Sequence, residues 1–192
     1  MTKKLLSVLL VLTLLLCGCA GQSDQPAPTP APAEFSAAGM NITLNESFTQ
    51  KEYVTYTTGF ESADIAVFVL LEEAALFDGT DYGTDFSADT YAEMLWKSNG
   101  NAGSPELTSA GDLVWFDFDA SANGNDYTYR AFVFKSADGY WLVQFAALAE
   151  NFEALADTMN AYAATITFDN PYVAPTPAAT DVPDTTEDDT AY

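Results

Sequence analysis

Histidine is absent from the 192-residue chain, and only two cysteines occur, Cys17 and Cys19. Without histidine the chain lacks the usual general base and the commonest transition-metal ligand. Because both cysteines lie near the N-terminus, the rest of the chain can form no disulfide framework, zinc cluster or cysteine nucleophile. We therefore expect no cofactor, and any catalysis would have to come from carboxylates, hydroxyls and aromatic side chains.

Basic residues are also few. Six lysines and arginines stand against 28 acidic residues, for a net charge of -22 at pH 7. Nucleic-acid phosphates are bound by clustered lysine and arginine, so nucleic acid is excluded as a partner. The acidity favours solubility and low adhesion on an anionic cell envelope.

The N-terminus has the layout of a secretory signal peptide. Lys3 and Lys4 precede an apolar run from Leu5 to Leu16, and small residues follow. The run is too short for a membrane span, which needs about 20 apolar residues. Its ending, Leu16-Cys17-Gly18-Cys19, resembles the lipobox of bacterial lipoproteins, in which signal peptidase cuts before a cysteine that carries a diacylglyceryl group.

The lipobox resemblance implies that residues 1–18 are a lipoprotein signal peptide and that Cys19 is the lipidation site. It also implies a location on the extracytoplasmic face of the bacterial membrane, with the membrane as a partner through the lipid on Cys19. Cys17 is a second candidate, but it lacks the small residue just upstream. An ordinary secretory signal with an incidental cysteine is the alternative.

Proline-rich segments flank the remainder of the chain. Residues 19–34 are predicted to be a Pro/Ala-rich linker in an extended polyproline II conformation. Residues 171–192 are rich in proline, threonine and acidic residues, and we predict a disordered tail because they cannot build a core. Between them, residues 35–170 have the usual length of one domain.

Hydrophobic periodicity within residues 35–170 predicts two helices and eight strands. Ser87 is predicted to cap a helix that ends near Lys97, and a second helix is predicted over Asn151 to Ala163. The predicted strands are 40–44, 53–58, 63–71, 106–109, 113–119, 126–135, 140–148 and 166–168.

The last long strands are predicted to form hairpins. Asn123-Gly124 and Asp138-Gly139 are strong hairpin signals. If the second hairpin sets the register, both faces of its strands are largely apolar, and both must be covered. We therefore predict an α+β fold: a three-layer α/β/α sandwich with a central, mostly antiparallel sheet and helices covering both faces.

This order of elements resembles the PsbP-like lipoproteins, whose fold is shared with the Mog-type Ran-release factor. The residues that carry the resemblance are Gly39-Met40-Asn41-Ile42-Thr43-Leu44 with Phe48, Ser87 and Tyr91, Tyr140-Trp141-Leu142-Val143-Gln144-Phe145, and Ile166-Thr167-Phe168 after the closing helix. These are core and turn patterns, so the resemblance implies a fold and transfers no functional residue.

Four residues near one hairpin form a possible surface site. Asp117 and Asp119 are two apart on a predicted strand and so share a side with Trp115, and Arg130 is predicted to lie across from them. Two carboxylates beside an aromatic ring are typical of glycosidases. The alternative is that the strand leaves the core toward its turn, where aspartate is common.

Calcium is the one metal for which the sequence offers candidate ligands. Asp119, Ser121, Asn123 and Gly124 match the first half of a calcium loop, but Arg130 stands where its glutamate belongs, so the motif fails. Asp78, Asp81 and Asp85 lie in a glycine-rich loop without established calcium spacing. They are the weak candidates for a metal ligand set, and we assign no metal site.

The sequence predicts a non-catalytic binding or assembly module of the cell envelope, anchored to the membrane and facing outward, with an envelope protein or glycan as its partner. The alternative is a carboxylate-dependent hydrolase that acts on envelope glycans. The missing histidine and the missing reactive cysteine favour the first.

Replacing the proposed lipidated residue, Cys19→Ser, should move the protein from the membrane fraction to the medium or periplasm. Two acyl chains, at about 0.8 kcal/mol per buried methylene, would be its only stable anchor. Fractionation followed by immunoblotting measures the shift, and Cys17→Ser is the matched control that should stay with the membrane. Membrane retention of the Cys19→Ser chain would show that the lipobox interpretation is wrong.

Overall fold

The computed structural model describes residues 29–174. The predicted signal peptide, Cys19, most of the predicted linker and all but the first four residues of the predicted tail lie outside this range. Within it, no helix combines the length and the apolar character that a bilayer span requires.

Ten strands and two α-helices make up the described part of the chain. The two helices are α1 (Ala88–Ser98) and α2 (Ala149–Ala163), and a 3-10 turn covers Ala74–Phe77. The strands are β1 (Pro32–Ala37), β2 (Met40–Asn45), β3 (Thr49–Lys51), β4 (Thr58–Glu61), β5 (Ala66–Glu73), β6 (Thr108–Ala110), β7 (Leu113–Ala122), β8 (Asn125–Lys135), β9 (Gly139–Leu148) and β10 (Thr167–Phe168).

The strands form two antiparallel sheets. The larger sheet has seven strands in the order β3-β4-β5-β9-β8-β7-β6, and the smaller has the order β1-β2-β10. Helix α1 packs on β7 and β8 from one side, while α2 contacts β8, β9 and β2 on the other. The predicted α+β sandwich, with a helix on each face of the main sheet, is confirmed.

The β8–β9 hairpin is buried on both faces, as its apolar pattern predicts. Phe132 faces Val143 and Phe134 faces Trp141 across the hairpin, and these residues join the core beneath α2 and the small sheet. Ala131, Val133 and Leu142 point the other way, into the core beneath α1. The sheet therefore separates two hydrophobic cores.

The hairpin turn at Asn123-Gly124 and the cap of α1 at Ser87 form as the sequence predicts. Asn123 and Gly124 both have positive φ, 53° and 83°, as the tight hairpin between β7 and β8 requires. The Ser87 hydroxyl accepts a hydrogen bond from the Thr90 N–H at 3.1 Å and caps α1.

One predicted strand is wrong, and three strands, β1, β3 and β4, were not predicted. Residues 53–57, predicted as most of a strand, form an irregular loop, and the strands here are β3 and β4. Residues 53–57 do not join the sheet because the Tyr53 ring packs over Gly59 of β4, where an added Cβ would collide with the ring. The loop therefore folds back over the sheet.

The N-terminal strand β1 was also not predicted. It begins at Pro32, so residues 32–34, which we predicted as the end of the linker, pair with residues 43–45 of β2. At the other end, Pro171 forms an isolated bridge with Ser136. Proline tolerates such edge positions because its missing N–H is not needed there.

Candidate functional site

The carboxylate of Asp117 is paired with the guanidinium of Arg130 on the neighbouring strand. Arg130 Nε and Nη2 donate to the two Asp117 oxygens at 2.9 and 2.7 Å, a bidentate geometry. Arg130 Nη1 donates to Asn160 Oδ1 of α2 at 3.0 Å, and the arginine side chain is only 11% exposed. Arg130 therefore ties the sheet to α2.

Aromatic rings enclose the same guanidinium. The Arg130 Cζ atom lies 5.5 Å from the ring centroid of Trp115 and 5.2 Å from that of Phe152, within the range of cation–π attraction. Asp119 accepts a hydrogen bond from the Thr128 hydroxyl at 2.6 Å. The structure thus brings the predicted surface residues together. The Trp115 ring packs against the Arg130 guanidinium, however, and the Asp117 carboxylate forms an ion pair with it.

The three loop aspartates do not converge. Asp85 pairs with Lys135, and the hydrogen bond and charge of Lys135 lower the pKa of the Asp85 carboxyl. Burial acts to lower the pKa of Lys135, but Asp85 and the nearby Tyr140 and Tyr172 outweigh it, and the pKa is raised. Among residues 29–174, no group of three or more Asp, Glu, His or Cys side chains is placed to hold a metal ion.

A cleft opens beside the C-terminal end of α1, where the helix leaves part of the sheet uncovered. Its volume is about 260 Å³. Leu95 and Trp96 of α1 and the amides of Asn99 and Asn101 form one side, and residues of β7 and β9 form the rest, among them Phe116, Phe118, Leu142 and Gln144. We call this the Gln144 cleft.

The register of the sheet places residues of three strands side by side on the α1 face. Ala131 of β8 pairs with Gln144 of β9 on one side and with Phe116 of β7 on the other. All three side chains point to the α1 face because they are direct neighbours across the sheet. Ala131 is fully buried in the core beneath α1, while Phe116 and Gln144 on either side of it line the cleft.

Gln144 is a buried polar residue in a strand that is otherwise apolar. Only 8% of its surface is exposed. The Tyr56 hydroxyl hydrogen-bonds to one end of its amide, with 3.1 Å between Oη and Oε1. Among the described residues, no buried side-chain nitrogen or oxygen lacks a partner. The other end of the amide, which has no partner there, therefore reaches the accessible space of the cleft.

Aromatic side chains continue from the cleft across the sheet. Phe118 stacks on Tyr129 with 4.9 Å between ring centroids and 11° between planes. Phe68 of β5 lies 5.1 Å from Tyr53 and from Tyr56 of the irregular loop. This loop stands over the β5 side of the sheet, while α1 covers the β7 side.

The pKa values of several tyrosine hydroxyls in this region are raised. Burial, followed by the hydrogen bond and charge of Glu61, raises the pKa of Tyr53 to about 12. Burial also raises the pKa of Tyr56 and of Tyr129. Within α1 itself, burial and then the Glu72 carboxylate raise the pKa of Tyr91. These hydroxyls are therefore neutral hydrogen-bonding groups at physiological pH.

Sequence reasoning did not find the Gln144 cleft. One signal was available: Gln144 is the lone polar residue in Tyr140-Trp141-Leu142-Val143-Gln144-Phe145-Ala146, and a buried polar residue is more informative than a buried apolar one. Trp96, Asn99 and Asn101 lie 43 or more positions away in sequence. Their position beside Gln144 depends on how α1 crosses the sheet.

No protein-family model matches the chain, and a comparison with curated proteins finds no relative by sequence. Solved structures do match. The cyanobacterial PsbP of Synechocystis sp. PCC 6803 is 10% identical with a TM-score of 0.43, over 80% of this chain and 98% of its own. LpqN, described as involved in cell envelope biogenesis of Mycobacterium tuberculosis, is 15% identical with a TM-score of 0.43, over 73% and 90%.

A Bacteroides thetaiotaomicron protein also matches, at 12% identity and a TM-score of 0.45, and covers 72% of this chain and 48% of its own. The matches include a PsbP structure, and PsbP-like proteins are the family that the sequence resembles. At these identities and TM-scores, the similarity concerns the arrangement of strands and helices only.

Removing the carboxylate that faces Arg130, Asp117→Ala, should lower the free energy of unfolding by about 1–3 kcal/mol. The reason is that a largely buried guanidinium loses two charge-assisted hydrogen bonds. Urea unfolding followed by tryptophan fluorescence measures the change. Asp119→Ala is the matched control, and because it removes one exposed hydrogen bond its effect should stay below about 1 kcal/mol. Equal effects of the two changes would contradict a structural role of the ion pair.

Stability should fall as the pH rises above 10. In the unfolded chain tyrosines lose their protons near pH 10.0, whereas Tyr53, Tyr56, Tyr91 and Tyr129 keep theirs in the fold. The unfolded state then binds fewer protons than the folded state, so alkaline pH favours unfolding. Urea unfolding at pH 8, 10 and 11 tests this. The decline should be shallower in Tyr91→Phe, and an unchanged slope would show that Tyr91 does not contribute.

Proposed function

We propose that the chain is a lipid-anchored module on the extracytoplasmic face of the bacterial membrane, where it binds an envelope component without catalysis. The Gln144 cleft is the proposed binding site. Ligand sites in proteins are concave and mostly apolar, with a few polar groups that fix the orientation of the ligand. The cleft combines Phe116, Phe118 and Trp96 with the amides of Gln144, Asn99 and Asn101.

The single observation that carries the proposal is the free amide end of the buried Gln144. A buried polar group without a protein partner is costly, by about 1–3 kcal/mol, unless water or a ligand satisfies it. Here most of the Gln144 side chain is buried, but the free end of its amide reaches the accessible space of the cleft, where water or a ligand can pair with it. A ligand with hydroxyl or carbonyl groups would supply the missing partner.

Chemistry within the cleft favours binding over hydrolysis. Of the residues that line it, only Asp119 is charged. A carboxylate-dependent glycosidase needs two carboxyl groups, about 5–10 Å apart, that flank the substrate. Asp117, the proposed second member of such a pair, is held in a bidentate ion pair with Arg130. The proposal therefore treats the two aspartates as structural.

The anchoring half of the proposal depends on the lipobox at Cys19. In a polyproline II conformation, at about 3.1 Å per residue, the proline-rich spacer predicted after Cys19 would hold the domain away from the lipid surface. The excess of acidic residues, 28 against six basic ones, keeps the domain itself from adhering to anionic lipid headgroups. The cleft would then be free to meet other envelope components.

A binding and turnover assay on isolated cell envelopes tests the proposed function. The full chain with Cys19→Ser, which lacks the lipid, is sedimented with washed envelopes, and the release of reducing ends is measured in the same samples. We expect cosedimentation that falls at least about threefold in Trp96→Ala, because the aromatic wall of the cleft is lost. Tyr82→Ala, which removes an aromatic ring that is 45% exposed outside the cleft, is the matched control.

Two outcomes would overturn the proposal. Release of reducing ends that disappears in Asp119→Asn would establish the hydrolase alternative. Equal cosedimentation of the parent chain and Trp96→Ala would show that envelope binding does not use the cleft.

A further inference from the structure

We propose that the Gln144 cleft binds one ring of a neutral oligosaccharide, with the Gln144 amide hydrogen-bonded to ring hydroxyls and aromatic side chains packed on the apolar face of the sugar. This inference rests on the proposed function, since it names the ligand class for the same cleft. Three features of the cleft lead to it: the buried amide, the aromatic walls and the absence of cationic side chains among the lining residues.

The buried amide is a built polar site. Gln144 is 8% exposed, and the Tyr56 hydroxyl occupies one end of its amide group. That contact restrains the side chain, so the free end of the amide is held in a defined orientation toward the cleft. An amide carries both a carbonyl acceptor and N–H donors. Because Tyr56 donates to Oε1, the Nε2 N–H group is the free end, and sugar hydroxyl oxygens can accept from it.

The aromatic walls of the cleft suit the apolar faces of a sugar ring. A pyranose ring presents C–H groups on its faces, and these carry a small positive charge that is attracted to the negative face of an aromatic ring. Trp96 and Phe118 are half-buried, so part of each ring is open to the cleft. The Trp96 indole is fixed because its Nε1–H donates to the Ala102 carbonyl at 3.1 Å. Phe118 is held by its stack on Tyr129.

Further amides stand at the rim, where ring hydroxyls would emerge. Asn99 uses its side-chain N–H group to cap α1, with a hydrogen bond to the Leu95 carbonyl at 2.9 Å. Its carbonyl oxygen remains as an acceptor. Asn101 is exposed beside it and lines the same cleft. Three amides around an aromatic wall can distinguish hydroxyl positions without using any charge.

Charge restricts the ligand to a neutral one. None of the residues lining the cleft is lysine or arginine, and Asp119 is the only ionised group among them. An anionic glycan would find no counter-charge there and would be repelled by the net charge of -22. The volume of about 260 Å³ leaves room for one sugar ring at a time, with neighbouring rings outside. We therefore expect a Kd on the order of 1 mM for a short oligosaccharide.

The test uses purified full chain with Cys19→Ser and four neutral tetrasaccharides: chitotetraose, cellotetraose, maltotetraose and mannotetraose. Saturation-transfer NMR and calorimetric titration measure binding, and tetragalacturonate is the anionic control. We expect at least one neutral tetrasaccharide to bind, with no detectable binding of tetragalacturonate. Gln144→Leu keeps the volume of the side chain and should weaken binding at least about tenfold.

A matched control separates loss of the site from loss of the fold. Thr58 is also a buried polar residue of the sheet, 4% exposed, but it pairs with Val69 and faces the opposite core. Thr58→Val therefore removes a buried polar group without touching the cleft. We expect this chain to bind the oligosaccharide as the parent does. Urea unfolding should show that Gln144→Leu is at least as stable as Thr58→Val.

Each contrary result has a distinct meaning. If no neutral tetrasaccharide binds but Trp96-dependent cosedimentation with envelopes persists, the sugar inference is overturned and the proposed function stands. If the apolar dye Nile red binds in a Trp96-dependent way while no tetrasaccharide does, the cleft takes an apolar ligand instead. If neither sugars nor envelopes bind, both proposals fail. Unchanged sugar affinity in Gln144→Leu would place the sugar site elsewhere.

Discussion

The whole fold depends on one hairpin that is apolar on both faces. Strands β8 and β9 carry Phe132, Trp141 and Val143 on one face and Ala131, Val133 and Leu142 on the other. Each face exposed to water would cost about 25 cal/mol for every Å² of apolar surface. Both faces must therefore be covered, and the chain supplies α2 with the small sheet on one side and α1 on the other.

The cleft forms because α1 does not cover the whole of its face of the sheet. Helix α1 has 11 residues and is about 16 Å long, whereas seven strands spaced about 4.8 Å apart make a sheet about 29 Å wide. One helix cannot cover such a face. The loop with Tyr53 and Tyr56 covers the β5 side, and between this loop and α1 the amide of Gln144 reaches the cleft.

Acidic residues dominate the chain, and three of the four basic residues in residues 29–174 have acidic partners. Arg130 binds Asp117 and Asn160, Lys135 binds Asp85, and Lys97 pairs with Glu93 one helical turn away. The Arg130 site is the most buried of these by side-chain exposure, and two aromatic rings enclose it. This explains how a carboxylate that looks catalytic in the sequence can be structural: its charge is needed to accompany a buried cation.

The sequence by itself determined the two helices, the central strands, the hairpin turn at Asn123-Gly124 and the two-faced character of β8 and β9. These features follow from local periodicity and turn chemistry, which neighbouring residues encode. The placement of Arg130 opposite Asp117 also followed, because the hairpin sets its own register. Strand β1 and the loop at residues 53–57 did not follow. Pro32 is positioned by its pairing with β2, and the Tyr53 ring is positioned by its packing on Gly59. A turn separates the two partners in each case.

Only the tertiary structure decided the Gln144 cleft. Its walls come from α1, β7 and β9, and two of its lining residues, Phe116 and Gln144, stand in one row across the sheet with Ala131 of β8 between them. A row of this kind joins residues that are far apart in the chain, so no local pattern encodes it. The sequence shows Gln144 as a lone polar residue in a strand whose apolar pattern predicts burial. Whether its amide met another protein group or an open cleft depended on packing that strands and helices acquire only when they come together.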